Sequence, residues 1–350
     1  MNISSGIKSA LLFVGFSCAL SACAADTIQG VVHNQTSGKT AAGDEVILLR
    51  LQNGMEEEAK TRVDAAGAFS LPLSSADVPH IVRVVHQGVN YDQTTNGKGP
   101  LSISVFDAVT HIRDLQGTLG IAQVESDGET LKITEMYSIA NDSVPPVTQF
   151  SPRNFEISIA PKATLDSLMV KKGGGGVWVN LAPVPIKGQQ GRYAVDFPIR
   201  PGATLFKFVY HLPYSEPTRL QIKLPYPIRN FAVMHPPSIS FKPSSSAAFT
   251  SPGMVQGLRV EQAVGKPVVR DVAAFEISGI GLAASTQAAT ASSTMSSPAA
   301  VGSLKPETTA AVLPAIPGRQ ENPMWILLSG IAALLTALAY VIWKKRKKMI

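Results

Sequence analysis

The stretch Thr61-Arg-Val-Asp-Ala-Ala-Gly-Ala-Phe-Ser-Leu-Pro-Leu73 shows the pattern that decides the fold. Phe69 and the leucines that follow it at every second position alternate with Ser70 and Pro72. A period of two places one face of a β-strand on a core and the other face in water. Asp64 and Gly67, just before the strand, are residues that favour a tight turn. The stretch therefore predicts a turn that leads into a half-buried strand.

The same alternation recurs along most of the chain. Apolar residues at every second position also mark 101–105, 155–159, 193–197 and 220–224. Such a pattern is typical of antiparallel sheets with one buried face, and many short strands favour β-sandwiches. We therefore predict an all-β protein with two tandem antiparallel β-sandwich domains, at residues 26–115 and 117–282. The sequence leaves open whether 254–282 belongs to the second domain or begins a stalk.

Three segments of the first domain carry a family resemblance. Ile28-Gln-Gly-Val-Val-His33, Gly43-Asp-Glu-Val-Ile-Leu-Leu49 and the stretch from Thr61 to Leu71 together resemble the carboxypeptidase regulatory-like domain. Arg62 and Val63 separate Thr61 from Asp64, a minor departure from the pattern of that family. The resemblance implies a transthyretin-like seven-strand sandwich that serves as an accessory or binding module. It does not imply peptidase activity.

The N-terminus has the layout of a secretory signal peptide at residues 1–24. Lys8 precedes an apolar stretch, 10–16, which is too short to span a bilayer and is followed by small residues. Two cleavage sites fit the sequence. Leu20-Ser-Ala-Cys23 looks like a lipobox, in which Cys23 would be lipidated, whereas small residues on both sides of Cys23 fit ordinary signal peptidase.

The C-terminus predicts a membrane anchor. Residues 324–343 form an uncharged run of 20 residues, long enough to cross the hydrocarbon core as one helix. The basic tail, 344–350, is expected to stay in the cytoplasm under the positive-inside rule. Residues 283–323 are rich in Ala, Ser, Thr and Pro and predict a disordered stalk. We therefore expect a single-pass cell-membrane protein with its N-terminal ectodomain periplasmic or extracellular.

Charge and motifs bear on the class of function. Outside Lys8 and the five cations of the tail, the chain carries 25 basic and 25 acidic residues, which argues against a nucleic-acid partner. The loop Gly173–Gly176 lacks the lysine of a phosphate-binding loop and predicts a hairpin instead. The histidines lack the spacing of a metal-binding motif; they are His33, His80, His86, His111, His211 and His235. We therefore predict no catalytic residue, no metal and no cofactor.

The remaining candidates for a binding site are aromatic. Trp178 and Tyr214 lie near Gly- and Pro-rich turns, where exposed rings can stack on a ligand. In contrast, Phe206, Phe208 and Tyr210 share one strand face, which predicts that they are core residues. The leading hypothesis is a non-enzymatic envelope protein whose modules bind another envelope protein or organise an assembly. The alternative is a membrane-anchored carbohydrate-binding module that uses Trp178 and Tyr214.

Overall fold

The computed structural model describes residues 26–283, apart from 53, 98, 114, 174–175, 245–247 and 265–271. This part of the chain is all-β and has no helix, which confirms the fold class expected from the alternation. Consequently, none of its elements is a helix that could cross a membrane. The predicted signal peptide, Cys23, the stalk beyond residue 283, the transmembrane helix and the basic tail lie outside the described residues.

The chain divides into two compact units between Asp107 and Ala108. The strands described in the first unit are β1 (Thr27–Asn34), β2 (Lys39–Thr40), β3 (Glu45–Arg50), β4 (Glu56–Arg62), β5 (Ala68–Pro72), β6 (His80–His86), β7 (Val89–Thr95) and β8 (Leu101–Val105). They form two four-stranded sheets. In one sheet β1 pairs antiparallel with β2 and β5 and parallel with β8; the other has the order β4-β3-β6-β7 and is antiparallel throughout.

Gly30 and the turn at Asp64 allow the strand around Phe69 to pack into the sheet. Gly30 lies opposite Phe69 in the β1–β5 pair, and a Cβ atom on Gly30 would approach the Phe69 ring to 2.6 Å. The ring of Phe69 therefore needs glycine at this position in order to be buried. In the turn, the Asp64 carboxylate accepts hydrogen bonds from the backbone N–H groups of Ala66 and Ala68, at 2.9 and 2.8 Å. Gly67 has a φ of +86°, which an L-residue rarely adopts.

The second unit contains the longer strands. Its described strands are β9 (Ala108–Val109), β10 (Gln116–Ser126), β11 (Thr130–Asn141), β12 (Thr148–Gln149), β13 (Phe155–Ser158), β14 (Thr164–Lys172), β15 (Val179–Asn180), β16 (Val184–Pro185), β17 (Arg192–Val195), β18 (Gly202–Pro213), β19 (Thr218–Lys223), β20 (Phe231–His235), β21 (Ser240–Pro243), β22 (Ala248–Val255), β23 (Leu258–Val264) and β24 (Val272–Ser278).

An eight-stranded sheet dominates this unit, with the order β15-β14-β18-β11-β10-β20-β23-β22. Two three-stranded sheets, β13-β17-β16 and β19-β24-β21, and the short pair β12-β9 accompany it. Because β23 pairs with β20, and β24 pairs with β19 and β21, both strands from the region 254–282 belong to the second unit. The structure thereby answers a question that the sequence left open.

The main core of the second unit is rich in aromatic rings. Phe206, Phe208 and Tyr210 are buried on one face of β18, which confirms their predicted core role. Phe155 of β13 stacks on Phe206, with ring centroids 3.8 Å apart and nearly parallel planes. The apolar residues of β19 at alternate positions, Leu220 and Ile222, complete the same core. The period of two therefore predicted the buried face of these strands correctly.

The C-terminal end of the described chain is fastened to the end of β10. Ser126 and Gly281 exchange two backbone hydrogen bonds of 2.9 Å. The backbone N–H of Ala283 donates to the buried carboxylate of Glu125 at 2.7 Å, and the Gln123 amide donates to the second carboxylate oxygen at 3.1 Å. The described chain therefore ends on a central strand of the large sheet and not on an edge strand.

Candidate functional site

A single segment, residues 177–185, lies along the edges of two sheets in the second unit. It contributes β15, the edge strand of the eight-stranded sheet, and β16, an edge strand of the sheet β13-β17-β16. Within the described residues, β15 pairs only with β14 and β16 only with β17. Leu181, between the two strands, packs against the main core, and its backbone N–H donates to the Leu168 carbonyl at 2.9 Å. The core contact fixes the segment in place.

The valines of this segment are exposed to an unusual degree. Val177, Val179 and Val184 have 82%, 48% and 65% of their surface accessible to solvent. Isolated exposed valines are common on protein surfaces, but exposed apolar residues on an edge strand favour pairing with another chain. We call these three residues the valine edge.

Trp178, a predicted ligand contact, lies within the same segment. Its side chain is half-buried, and the Lys171 ammonium lies 5.9 Å from the centre of its ring, within the range of a cation–π interaction. Met169 pairs with Asn180 and Val170 with Val179, so β14 and β15 are paired as the predicted hairpin requires. Trp178 is therefore held on the surface beside the valine edge.

Tyr214, the other predicted ligand contact, lies in the core and not on the surface. Only 9% of its surface is exposed, and its ring belongs to the main apolar cluster of the second unit. Its hydroxyl donates a 3.0 Å hydrogen bond to the Gly279 carbonyl. In this conformation the ring is not accessible for stacking on a ligand, and its contacts give it a structural role.

A groove of about 400 Å³ lies at one end of the sheet β13-β17-β16. Its functional side chains are Lys162, Gln190, Arg192, Tyr193, Gln221 and Lys223. None of the described residues that line this groove is acidic. We call it the basic groove. Its residues come from three separate segments, so no local pattern in the sequence predicts it.

A buried carboxylate lies in the core of the second unit. Glu135 is on β11, only 1% exposed, between the buried side chains of Ile133 and Tyr137 on the same strand face. The Tyr137 hydroxyl donates to one carboxylate oxygen at 2.5 Å, and the Tyr210 hydroxyl donates to the other at 2.7 Å. Both oxygens therefore have a hydrogen-bond partner even though water is excluded.

Burial changes the acidity of this group. Desolvation raises the pKa of Glu135 from 4.5 to about 7, although the two tyrosine hydroxyls oppose the shift by stabilising the charged form. At 1% exposure the carboxylate is out of reach of a ligand in this conformation. In the sequence, Glu135 is recognisable only as a glutamate at an inward-facing position of an alternating strand, outside the catalytic motifs considered above.

A second polar cluster ties strand ends together in the first unit. His86, at the end of β6, lies between two carboxylates, with Nδ1 2.7 Å from Asp44 and Nε2 3.1 Å from Asp107. Asn34, at the end of β1, donates to Asp107 at 2.7 Å. Hydrogen bonds from Asn34 and His86 lower the pKa of Asp107, whereas desolvation raises that of Asp44. These contacts join the ends of β1 and β6 through the side chains of Asn34, His86 and Asp107.

Within the described ranges, no three His, Asp or Glu side chains form a group that could hold a metal ion. His211, for example, pairs only with Asp166, at 2.6 Å, on the exposed face of β18 and β14. His80 is buried, and its Nε2 lies 2.9 Å from the Glu58 carboxylate. These histidines therefore occur in separate pairs with single carboxylates.

Comparison with known proteins gives no family match and only weak structural similarity. No protein-family model matches the chain, and no curated protein matches it. Among solved structures, the M1 zinc metallopeptidase from Deinococcus radiodurans is similar over 48% of this chain and 43% of its own, with 15% identity and a TM-score of 0.29. A variant of that enzyme gives 14% identity and a TM-score of 0.28, over 48% and 42%. The matched region spans less than half of the metallopeptidase, and a likeness this weak supports no conclusion on activity.

Proposed function

We propose that this chain is a non-enzymatic, single-pass envelope protein whose β modules bind another envelope protein outside the cytoplasm. The observation that carries the proposal is the valine edge, where Val179 and Val184 remain exposed on edge strands and Val177 remains exposed just before β15. Strand edges offer unpaired backbone N–H and C=O groups to a partner, and exposed valines add apolar contacts to such a pairing. A protein segment in extended conformation is the partner that fits this chemistry.

The local sequence gives further support. Natural edge strands are usually protected by charged side chains or by proline inside the strand. The segment from Val177 to Leu181, which contains β15, carries neither, whereas β16 contains Pro185. The Lys171 ammonium lies 5.9 Å from the centre of the Trp178 ring, while Val177 and Val179 stay exposed. A partner strand paired with β15 would cover the exposed valines of this segment.

The wider architecture belongs to the same proposal. The first unit would be a transthyretin-like sandwich of the carboxypeptidase regulatory-like type; its two four-stranded sheets and the Gly30–Phe69 pair are consistent with this. The second unit would be another sandwich, in which the smaller sheets cover the large one. The sequence supports export and anchoring through the signal-peptide layout and the uncharged run 324–343 before the basic tail.

Site-specific photocrosslinking in native membranes tests this function. A photoreactive residue replaces Val184 in the full-length protein, and Met254 serves as the matched control, because it is an exposed apolar residue on another edge strand, β22 of the large sheet. We expect one discrete crosslinked protein from position 184 and none from 254. The crosslink should weaken when Val177→Glu is combined with the probe. Equal labelling from both positions, or none from 184, would contradict docking at the valine edge.

A further inference from the structure

The basic groove is the strongest feature of the second unit that the proposed function does not use. Lys162, Arg192 and Lys223 line it together, and the Arg192 guanidinium is already bonded to Glu156 and Gln189. In the described part of the chain, Lys162 and Lys223 have no ion-pair partner. Two unpaired ammonium groups facing one groove of about 400 Å³ favour an anionic ligand, and the volume is within the range of small-molecule sites.

The uncharged side chains of the groove further restrict the chemical class of the ligand. The amides of Gln190 and Gln221 can each donate and accept hydrogen bonds, and the Ser158 hydroxyl can do both as well. A phosphate or sulfate needs only donors, whereas sugar hydroxyls need donors and acceptors. Tyr193, half-buried at the groove wall, adds an aromatic ring on which a sugar can stack. Cations, amides and a ring in one groove match a sugar that carries a carboxylate.

The backbone at Lys162 supports the same conclusion. Pro161 and Lys162 form a turn closed by a 3.1 Å hydrogen bond from the Ala163 N–H to the Ala160 carbonyl, and Lys162 has a φ of +65°. Glycine is the residue normally favoured where φ is positive. A lysine retained in this conformation is strained, and such strain clusters at functional sites. The strain in this turn therefore supports a functional role for the Lys162 side chain, which lines the groove.

We propose that the basic groove binds a carboxylate-bearing sugar unit of an acidic polysaccharide, with Lys162 and Lys223 contacting the carboxylate and Tyr193 stacking on the ring. The two glutamine amides would hold the hydroxyl groups. The groove and the valine edge share no residue, although Tyr193 pairs with Pro185, next to Val184. Lys162 and Lys223 lie on other segments, so their substitution tests the groove without changing the valine edge.

Calorimetric titration of the full-length protein in detergent tests the site. Polygalacturonate is the probe, methyl-esterified polygalacturonate is the uncharged match, and poly-L-glutamate supplies carboxylates without sugar. The variant Lys162→Gln/Lys223→Gln is compared with Lys39→Gln/Lys242→Gln, which removes two charges from exposed positions elsewhere on the chain. Both variants keep the basic tail, so its contribution is the same in each.

We expect the groove variant to bind polygalacturonate about tenfold more weakly than the control variant, since charge-assisted contacts are lost. Tyr193→Ala should also weaken binding, and Tyr193→Phe should restore it, which a purely electrostatic attraction would not produce. Three results would overturn the proposal: absence of polygalacturonate binding, an equal loss in the two double variants, or poly-L-glutamate or the methyl ester binding as tightly as polygalacturonate.

Discussion

Replacing Glu135 with glutamine should remove a pH-dependent destabilisation of the second unit. The carboxylate is buried between Tyr137 and Tyr210, and burial raises its pKa from 4.5 to about 7. One pKa unit corresponds to about 1.4 kcal/mol, so this shift corresponds to about 3 kcal/mol. The pKa of Glu135 is higher in the folded protein than in the unfolded chain. Its contribution to the unfolding free energy is therefore fully present below about pH 4.5 and is lost as the pH rises through about 7.

Equilibrium unfolding in urea at several pH values measures the effect. The fragment 26–283 contains one tryptophan, Trp178, so its emission reports on the second unit. The difference in unfolding free energy between Glu135→Gln and the wild type should shift by about 3 kcal/mol in favour of the variant between pH 4.5 and pH 8. Taking the difference cancels the titration of every other group that the two proteins share.

Glu129→Gln is the matched control, because Glu129 is exposed near the start of β11. Its difference from the wild type should stay constant over the same pH range. The reasoning would be refuted if the Glu135→Gln difference changed by less than about 1 kcal/mol across that range, or if the change went in the opposite direction.

Further substitutions test the packing of both units. Gly30→Ala should lower the unfolding free energy of the first unit by about 1–3 kcal/mol, because the new methyl group meets the Phe69 ring; an unchanged calorimetric transition would contradict this. Asp64→Ala removes two hydrogen bonds from the turn before β5 and should cost about 1 kcal/mol in urea unfolding, whereas Asp64→Asn should retain most of them. Phe155→Ala should cost about 3–5 kcal/mol by Trp178 fluorescence, and a loss below 1 kcal/mol would show that the stack on Phe206 is dispensable.

The fold was largely readable from the sequence where the strands alternate strictly. Leu101, Ile103 and Val105 are buried at every second position of β8, and Leu220 and Ile222 behave the same way in β19. The alternation in these strands reflects one buried face, which is a local property. The pairing order of the large sheet could not be derived in this way, since β10 lies between β11 and β20, which comes more than 90 residues after it.

The candidate sites were harder to predict, for a similar reason. Trp178 and Tyr214 were predicted together as ligand contacts, yet Trp178 is half-buried at an edge whereas Tyr214 is buried in the core, and nothing in their local sequence distinguishes the two. The difference comes from strands distant in sequence that cover one ring and leave the other at an edge. The basic groove is assembled from Lys162, Arg192 and Lys223, so only the tertiary structure brings its charges together.

The fastening of the chain at Gly281 and Ala283 determines how the second unit would respond to mechanical tension. A pull on the chain beyond Ala283 would enter the large sheet at Ser126 and Glu125, at the end of β10. This strand is flanked by β11 and β20, so the load would be shared by two ladders of hydrogen bonds acting together. Attachment at an edge strand would instead place the load on a single ladder of hydrogen bonds.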